Sequence, residues 1–237
     1  MALSVLAVLV LIAICGSGAY FVLVDERQGS AGAGRTAAKS PEPSPRDISS
    51  QAKDPTPLTE KEVFPTRTIP VDPNRKPYQV VKTQLLKDCR SAATDQLVKV
   101  LADAGCTQVV RATMKSPTGA YIVTAGVFNL RDEDAALQVH DAVKPTIDAK
   151  KGRFTGFAAG SGTDVIARSA TELGWDTRGH FLVYCVIARA DGKTFGSADQ
   201  QATRQIIADL VTSYLLGTVI ENRTVPVTAS ATPSPAG

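Results

Sequence analysis

The chain is predicted to contain one α+β domain, with helices packed on a mostly antiparallel sheet of ferredoxin-like type. Two observations predict it over residues 78–223: helical periodicity alternates with runs rich in β-branched residues, and short turns join several of those runs. The order is strand, helix, two strands, helix, a strand-rich region and a last helix, which matches a βαββαβ core.

Three helices follow from spacing and end signals. Residues 91–104 repeat apolar positions every three or four residues, and Gly105 provides a C-terminal stop. Residues 132–143 begin with three acidic residues, and Pro145 is predicted to end that helix. Ser197-Ala-Asp-Gln200 resembles a capping box and opens the last helix.

The strands are less uniform in their signals. Residues 78–86 favour a strand but also fit the first turns of a helix, and 154–159 are expected to pair briefly with the sheet. β-Branched and aromatic residues predict two strands over 106–114 and 120–130. They also predict a hairpin in which 165–174 pairs with 180–190, and these strands complete the sheet. Residues 181–188 are apolar throughout, which indicates a central strand.

The N-terminal segment predicts a membrane anchor over residues 1–24. Residues 2–24 carry no charge, and a helix of that length spans about 34 Å, against about 30 Å of bilayer hydrocarbon. A cleaved signal peptide fits less well because no Lys or Arg precedes the apolar run. A lipoprotein using Cys15 fits less well because bulky Ile14 precedes it.

A spacer and a tail flank the domain. Most of the 14 prolines lie in residues 25–77, and proline removes backbone donors and excludes regular helix, so this stretch is predicted to be a disordered linker. A PEPSP run at 41–45 is an alternative docking motif. Residues 224–237 are predicted to be a second disordered segment.

The charge balance argues against nucleic acid as a partner. The chain has 26 basic and 23 acidic residues, and neither sign clusters in one segment. Arg27, Arg35 and Lys39 follow the anchor, which by itself favours a cytoplasmic C-terminal side.

Three cysteines lie in the predicted domain. Because an intact helix over 91–104 would separate Cys89 from Cys106 by about 20 Å, that pair is disfavoured. A Cys106–Cys185 disulfide is predicted, with Cys89–Cys185 second and three reduced, buried cysteines as a further alternative.

No catalytic, metal or cofactor motif emerges. The chain has no C-x-x-C pair, and Gly192-Lys193-Thr194 lacks the earlier glycine of a phosphate loop. The hairpin turn offers the candidate binding residues Trp175, Asp176, Arg178 and His180. Trp175 fits either an exposed binding residue or a flap over the core.

The layout resembles that of uncharacterised single-pass envelope proteins of actinobacteria. The resemblance rests on the helix LAVLVLIAICGSGAYFVLV, the Pro/Ser/Ala stalk, the Ala/Val/Arg-rich domain and the TASATPSPAG tail. The resemblance implies an extracytoplasmic domain tethered to the cell membrane, and it does not identify any catalytic or binding residue.

The sequence therefore predicts a membrane-tethered, non-enzymatic extracytoplasmic module that binds an envelope protein or a second copy of itself. The alternative is an extracytoplasmic enzyme or ligand carrier with a site at the 175–180 turn. A purely structural spacer is a third hypothesis.

Overall fold

The computed structural model describes residues 44–160 and 162–226. Its helices are α1 (Glu60–Val63), α2 (Asp95–Asp103), α3 (Glu133–Asp148), α4 (Val165–Arg168), α5 (Gln200–Ile207) and α6 (Glu221–Thr224). The strands are β1 (Thr68–Ile69), β2 (Tyr78–Leu86), β3 (Gln108–Lys115), β4 (Tyr121–Asn129), β5 (Thr171–Arg178) and β6 (Phe181–Arg189). A π-helical segment, Ala208–Ile220, joins α5 to α6, and we call residues 200–224 the C-terminal helix.

The strands form one sheet in the order β1-β2-β3-β4-β6-β5, and every neighbouring pair is antiparallel. The α+β class and the antiparallel sheet are confirmed. The ferredoxin-like connection is not confirmed, because α2 joins two strands that lie side by side and antiparallel, whereas a split β-α-β unit joins parallel strands.

Both faces of the sheet are covered. The C-terminal helix packs on one face, against residues such as Val123 and Cys185, and α2 and α3 pack on the other, against residues such as Phe128 and Tyr184. This explains why every residue of β4 is buried and why β6 has no polar alternation.

Several element boundaries differ from the sequence prediction. Helix α3 continues through Pro145 to Asp148, since Thr146 is buried and the Ala149 N–H donates to the Pro145 carbonyl. Residues 165–168 form a helical turn, so the first hairpin strand begins at Thr171. The 154–159 segment contributes one isolated bridge, between Phe154 and Ala93.

The disordered-linker prediction is wrong for residues 44–77. Within them, residues 44–69, here called the strap, hold five apolar residues that join the core under the C-terminal helix: Ile48, Leu58, Val63, Phe64 and Ile69. The Gln108 amide donates to the Leu58 carbonyl at 2.7 Å, and the Tyr214 hydroxyl donates to the Val63 carbonyl at 2.6 Å. A few irregularly spaced apolar residues cannot form a core of their own, but they can bury against an existing sheet, and proline lowers the entropy that the strap loses on ordering.

The Cys106–Cys185 prediction is also wrong. Cys89 and Cys106 form the disulfide, with Cα atoms 6.2 Å apart, and Cys185 is a buried free thiol. Helix α2 begins only at Asp95, and residues 89–92 form a 3₁₀ turn followed by extended Ala93. The chain therefore doubles back before the helix starts, which brings the two cysteines together.

The anchor prediction falls on residues 1–24, and most of the predicted 224–237 tail also falls outside the described residues. Among the helices within 44–226, none combines the length and the apolarity that crossing a bilayer requires. Thr224, the first residue of the predicted tail, belongs to α6.

Candidate functional site

A loop of residues 152–160 crosses the sheet on the face that α2 and α3 cover. The loop is held from one side by the turn before α2, where the Ala92 carbonyl accepts from the Thr155 N–H at 2.9 Å. Gly152 opens it at φ +148°, and a Cβ there would lie 2.6 Å from the Thr94 carbonyl oxygen. The Thr124 hydroxyl accepts from the Phe157 N–H at 3.2 Å, which fixes the other end above β4.

Arg111 lies beneath this loop in the middle of β3 and is 3% exposed. Its Nε donates to Gln84 Oε1 at 2.9 Å, and Nη1 donates to the Thr155 carbonyl at 3.1 Å. Its guanidinium carbon lies 4.9 Å from the centre of the Phe157 ring. Across the sheet, a Cβ on Gly126 would come within 2.7 Å of Arg111 Cβ, so glycine provides the room for this side chain.

Among the described residues, no carboxylate lies within ion-pair distance of Arg111. Its two protein hydrogen-bond acceptors are neutral, and a guanidinium has five N–H groups. Burying a cation without a counter-charge is costly, and among the described residues nothing neutralises Arg111.

The guanidinium faces a cavity of about 330 Å³ between the loop and the sheet. Its lining combines two arginines, Arg111 and Arg153, with three hydroxyl groups and an apolar wall of Phe154, Phe157, Ile166, Ala167 and Val186. The hydroxyls belong to Ser91, Thr155 and Thr171. Within the described lining there is no acidic residue, so the cavity is positively charged.

Tyr184 lies on the same row of the sheet, next to Gly126. It is fully buried, and its hydroxyl has no hydrogen-bond partner among the residues described. Burial raises the pKa of the Tyr184 phenol, and the charge of nearby Arg111 acts in the opposite direction. Tyr184 is therefore a buried neutral donor close to the buried guanidinium.

The disulfide supports one wall of this cavity. Cys89 begins the 3₁₀ turn that contains Ser91, and the Ser91 carbonyl accepts from the Thr155 hydroxyl at 2.9 Å. The bridge to Cys106 ties that turn to the start of β3, the strand that carries Arg111. The cross-link thus holds the turn, the loop and the arginine in one arrangement.

The hairpin residues predicted as binding residues lie elsewhere. Trp175 is half-buried over the core, and its indole Nε1 donates to the His140 carbonyl at 3.1 Å. On the opposite face, Asp176 Oδ1 accepts from the Thr177 N–H at 2.7 Å, and Arg178 forms an ion pair with Glu221. No hydrogen bond or ion pair of the described region joins the four predicted side chains to one another.

His180 is fully buried beneath the strap. Its Nδ1 donates to the Ile48 carbonyl at 2.9 Å, and its Nε2 lies 4.0 Å from Asp54 Oδ2. Burial lowers the pKa of His180, with Asp54 opposing that shift and Arg223 and Arg46 adding to it. These contacts make His180 part of the attachment of the strap rather than of an open cavity.

Sequence reasoning missed Arg111, although one signal was present. Arg111 lies in the interior of the strand Gln108–Lys115, directly between the buried apolar residues Val110 and Ala112. A charged residue at such a position is unusual and indicates a special partner. Its relation to the 152–160 loop depends on tertiary contacts that no local pattern shows.

The described region contains no cluster of three or more His, Cys, Asp or Glu side chains that could hold a metal ion. Comparison of the chain with protein-family models, with curated proteins and with solved structures found no match.

Proposed function

We propose that this chain is a membrane-tethered, extracytoplasmic binding module that takes a small anion with an apolar part into the Arg111 cavity. The observation that carries the proposal is a guanidinium that is 3% exposed, faces a cavity and has only neutral hydrogen-bond partners among the described residues. This site replaces the 175–180 turn as the candidate for the ligand-carrier alternative.

The energetics favour an anion over a neutral ligand. Arginine presents paired N–H groups that match the oxygens of a carboxylate or phosphate, and such charge-assisted bonds are about twice as strong as neutral ones. Arg153 at the exposed rim adds a second positive charge. A neutral ligand would leave the buried charge uncompensated.

The walls restrict the rest of the ligand. A cavity of about 330 Å³ lies at the small end of small-molecule sites. The half-buried ring of Phe157 and the exposed side chain of Ala167 provide an apolar surface for an aromatic or short aliphatic group, and buried Phe154, Ile166 and Val186 lie behind them. An aryl or short acyl carboxylate or phosphate has both properties.

The lining favours binding over acid–base chemistry. The described lining residues comprise arginines, hydroxyl residues, glycine and apolar residues, and none of these types titrates near neutral pH. General acid–base catalysis depends on such a group within reach of the substrate.

Two features support the tether and its outward orientation. The uncharged run 2–24 is long enough to cross a bilayer. The Cys89–Cys106 disulfide is typical of an oxidising compartment, which favours the outer side over the cytoplasmic side suggested by Arg27, Arg35 and Lys39.

The test is calorimetric titration of the full chain in detergent micelles with phenyl phosphate, benzoate and neutral benzyl alcohol. At least one of the two anions should bind, and benzyl alcohol should not. The Arg111→Lys variant keeps the charge but loses the forked geometry, so the affinity should fall about tenfold or more.

Arg131→Lys is the matched control, because Arg131 is exposed and its Nε donates to Asp132. It should bind as the wild type does. Arg153→Ala, at the rim, should weaken anion binding less than Arg111→Lys does. If Arg111→Lys fails to fold, Arg153→Ala still tests whether the cavity binds the anion. Equal anion affinity in the wild type and both cavity variants, or no binding of either anion, would refute the proposal.

A further inference from the structure

The two edges of the sheet are protected to very different degrees. On one side, β1 has two residues, and β2 behind it carries a register shift between Val80 and Lys82. A bulge and a lysine are devices that prevent pairing with another chain. On the other side, β5 is eight residues long, pairs with β6 without a register shift and contains neither lysine nor proline.

The backbone of β5 presents free groups along this edge. Gly179 and His180 form a two-residue turn, so Arg178 and Phe181 close the hairpin as a hydrogen-bonded pair. Hydrogen-bonded and non-bonded pairs alternate in an antiparallel ladder, so Thr171, Leu173, Trp175 and Thr177 direct their N–H and C=O groups away from β6. The Thr177 N–H donates to the Asp176 side chain, as an outward-facing group would.

We propose that β5 is a homodimerisation edge, on which β5 of a second copy pairs antiparallel about a two-fold axis through Trp175. This interaction does not depend on the anion site, although Thr171, the first residue of β5, also lines that cavity. The pairing would join the two sheets through about six backbone hydrogen bonds.

Charge and strand overlap together select this register. Centring the axis on Trp175 places Glu172 opposite Arg178 of the second copy, and the symmetry repeats that pair. Centring it on Gly174 would oppose Glu172 to Asp176, and centring it on Asp176 would oppose Asp176 to itself. Centring the axis on Thr177 would also bring opposite charges together, Asp176 with Arg178, but it would pair only residues 176–178 of β5. Opposite charges directly across a strand pair stabilise it, and like charges destabilise it.

Both charged residues are available for this contact. Glu172 and Arg178 are exposed and lie on the face of the C-terminal helix, where Gly174 contacts Ile207. Arg178 already pairs with Glu221, but both side chains of that pair are more than 40% exposed, at 42% and 51%. Such a surface pair contributes little and can be exchanged.

The side chain on the axis also suits the pairing. Trp175 is half-buried, on the opposite face from Arg178, with its indole N–H already bonded to His140. Two tryptophans meeting across the axis would bury further apolar surface without leaving a polar group unpaired.

The test is a charge swap, read by sedimentation of the full chain in density-matched detergent. The wild type should dimerise, and Glu172→Lys or Arg178→Glu should each weaken the dimer about tenfold or more, because two attractive pairs become repulsive. The double variant, Glu172→Lys with Arg178→Glu, should restore it.

Glu221→Gln is the matched control, since it removes the intramolecular partner of Arg178 and leaves the edge intact. It should remain dimeric. Thr177→Pro removes only an outward N–H, keeps the bonds to β6 and should abolish dimerisation. A wild type that stays monomeric, or a dimer that tolerates both single charge reversals, would overturn the proposal.

Discussion

Arg223 and Arg111 are both buried arginines, 5% and 3% exposed, but their surroundings are opposite. Arg223 Nε lies 2.5 Å from Asp54 Oδ2, and its guanidinium also pairs with Glu62. Arg111 donates only to an amide oxygen and a backbone carbonyl among the described residues. The contrast shows that a buried arginine is neutralised at one place in this domain and not at the other.

Arg223 completes a neutral cluster. Arg46 also pairs with Asp54, so two arginines balance two carboxylates where the strap meets the C-terminal helix. This closed cluster, in which the charges are balanced, attaches the strap to the C-terminal helix and needs no ligand to neutralise it. Arg111, by contrast, has no carboxylate partner among the described residues, which is the basis of the proposed anion site.

The largest effect is expected when the closed cluster is broken. Arg223→Met leaves the Asp54 carboxylate, whose side chain is fully buried, without its main partner. We expect a loss of about 3 kcal/mol in the free energy of unfolding, at the low end of the range for broken buried pairs because Arg46 remains. Urea denaturation measures it, and Arg131→Ala, which removes an exposed ion pair with Asp132, should cost under about 1 kcal/mol. An equal loss in both variants would contradict the distinction.

A smaller, pH-dependent effect should come from His180 in the same cluster. Because burial lowers the pKa of His180, the unfolded chain binds more protons than the fold does below about pH 6.5. Stability should therefore fall as the pH falls through 6.5, by at most about 1.4 kcal/mol per pH unit.

Denaturation curves between pH 7 and 5 measure this slope. His180→Gln should reduce it whatever the variant does to stability at pH 7, whereas His140→Gln, at an exposed histidine, should retain it. An unchanged slope in His180→Gln would assign the acid sensitivity to another group.

The smallest stability change is expected at Arg111. Arg111→Met removes two bonds to neutral acceptors but also the cost of burying an uncompensated charge, so the free energy of unfolding should change by under about 1 kcal/mol. The same urea experiment measures it beside Arg223→Met. A loss as large as that of Arg223→Met would make Arg111 a structural brace for the 152–160 loop.

Local patterns predicted much of the fold. The helices α2, α3 and α5 overlap the ranges that apolar periodicity and end signals predicted, and the strands β3, β4 and β6 overlap those that β-branched and aromatic residues predicted. For β2 the sequence favoured a strand but left a helix open. The strap was missed because its five core residues are few, lie at irregular spacing among prolines and follow no period. Of the candidate site, the sequence offered only an arginine inside an apolar strand.

The sequence by itself determined the α+β class and the burial of β6, since the types of element and an unbroken apolar run can be read within single segments. Short turns between β3 and β4 and between β5 and β6 also indicated antiparallel pairing. The tertiary structure decided which cysteines pair, that residues 44–69 join the core, and which buried arginine meets a carboxylate. These features depend on contacts such as Asp54 with Arg223 and Thr155 with Arg111, between residues far apart in the chain. Such contacts form only once the sheet brings the segments together, and no local period records them.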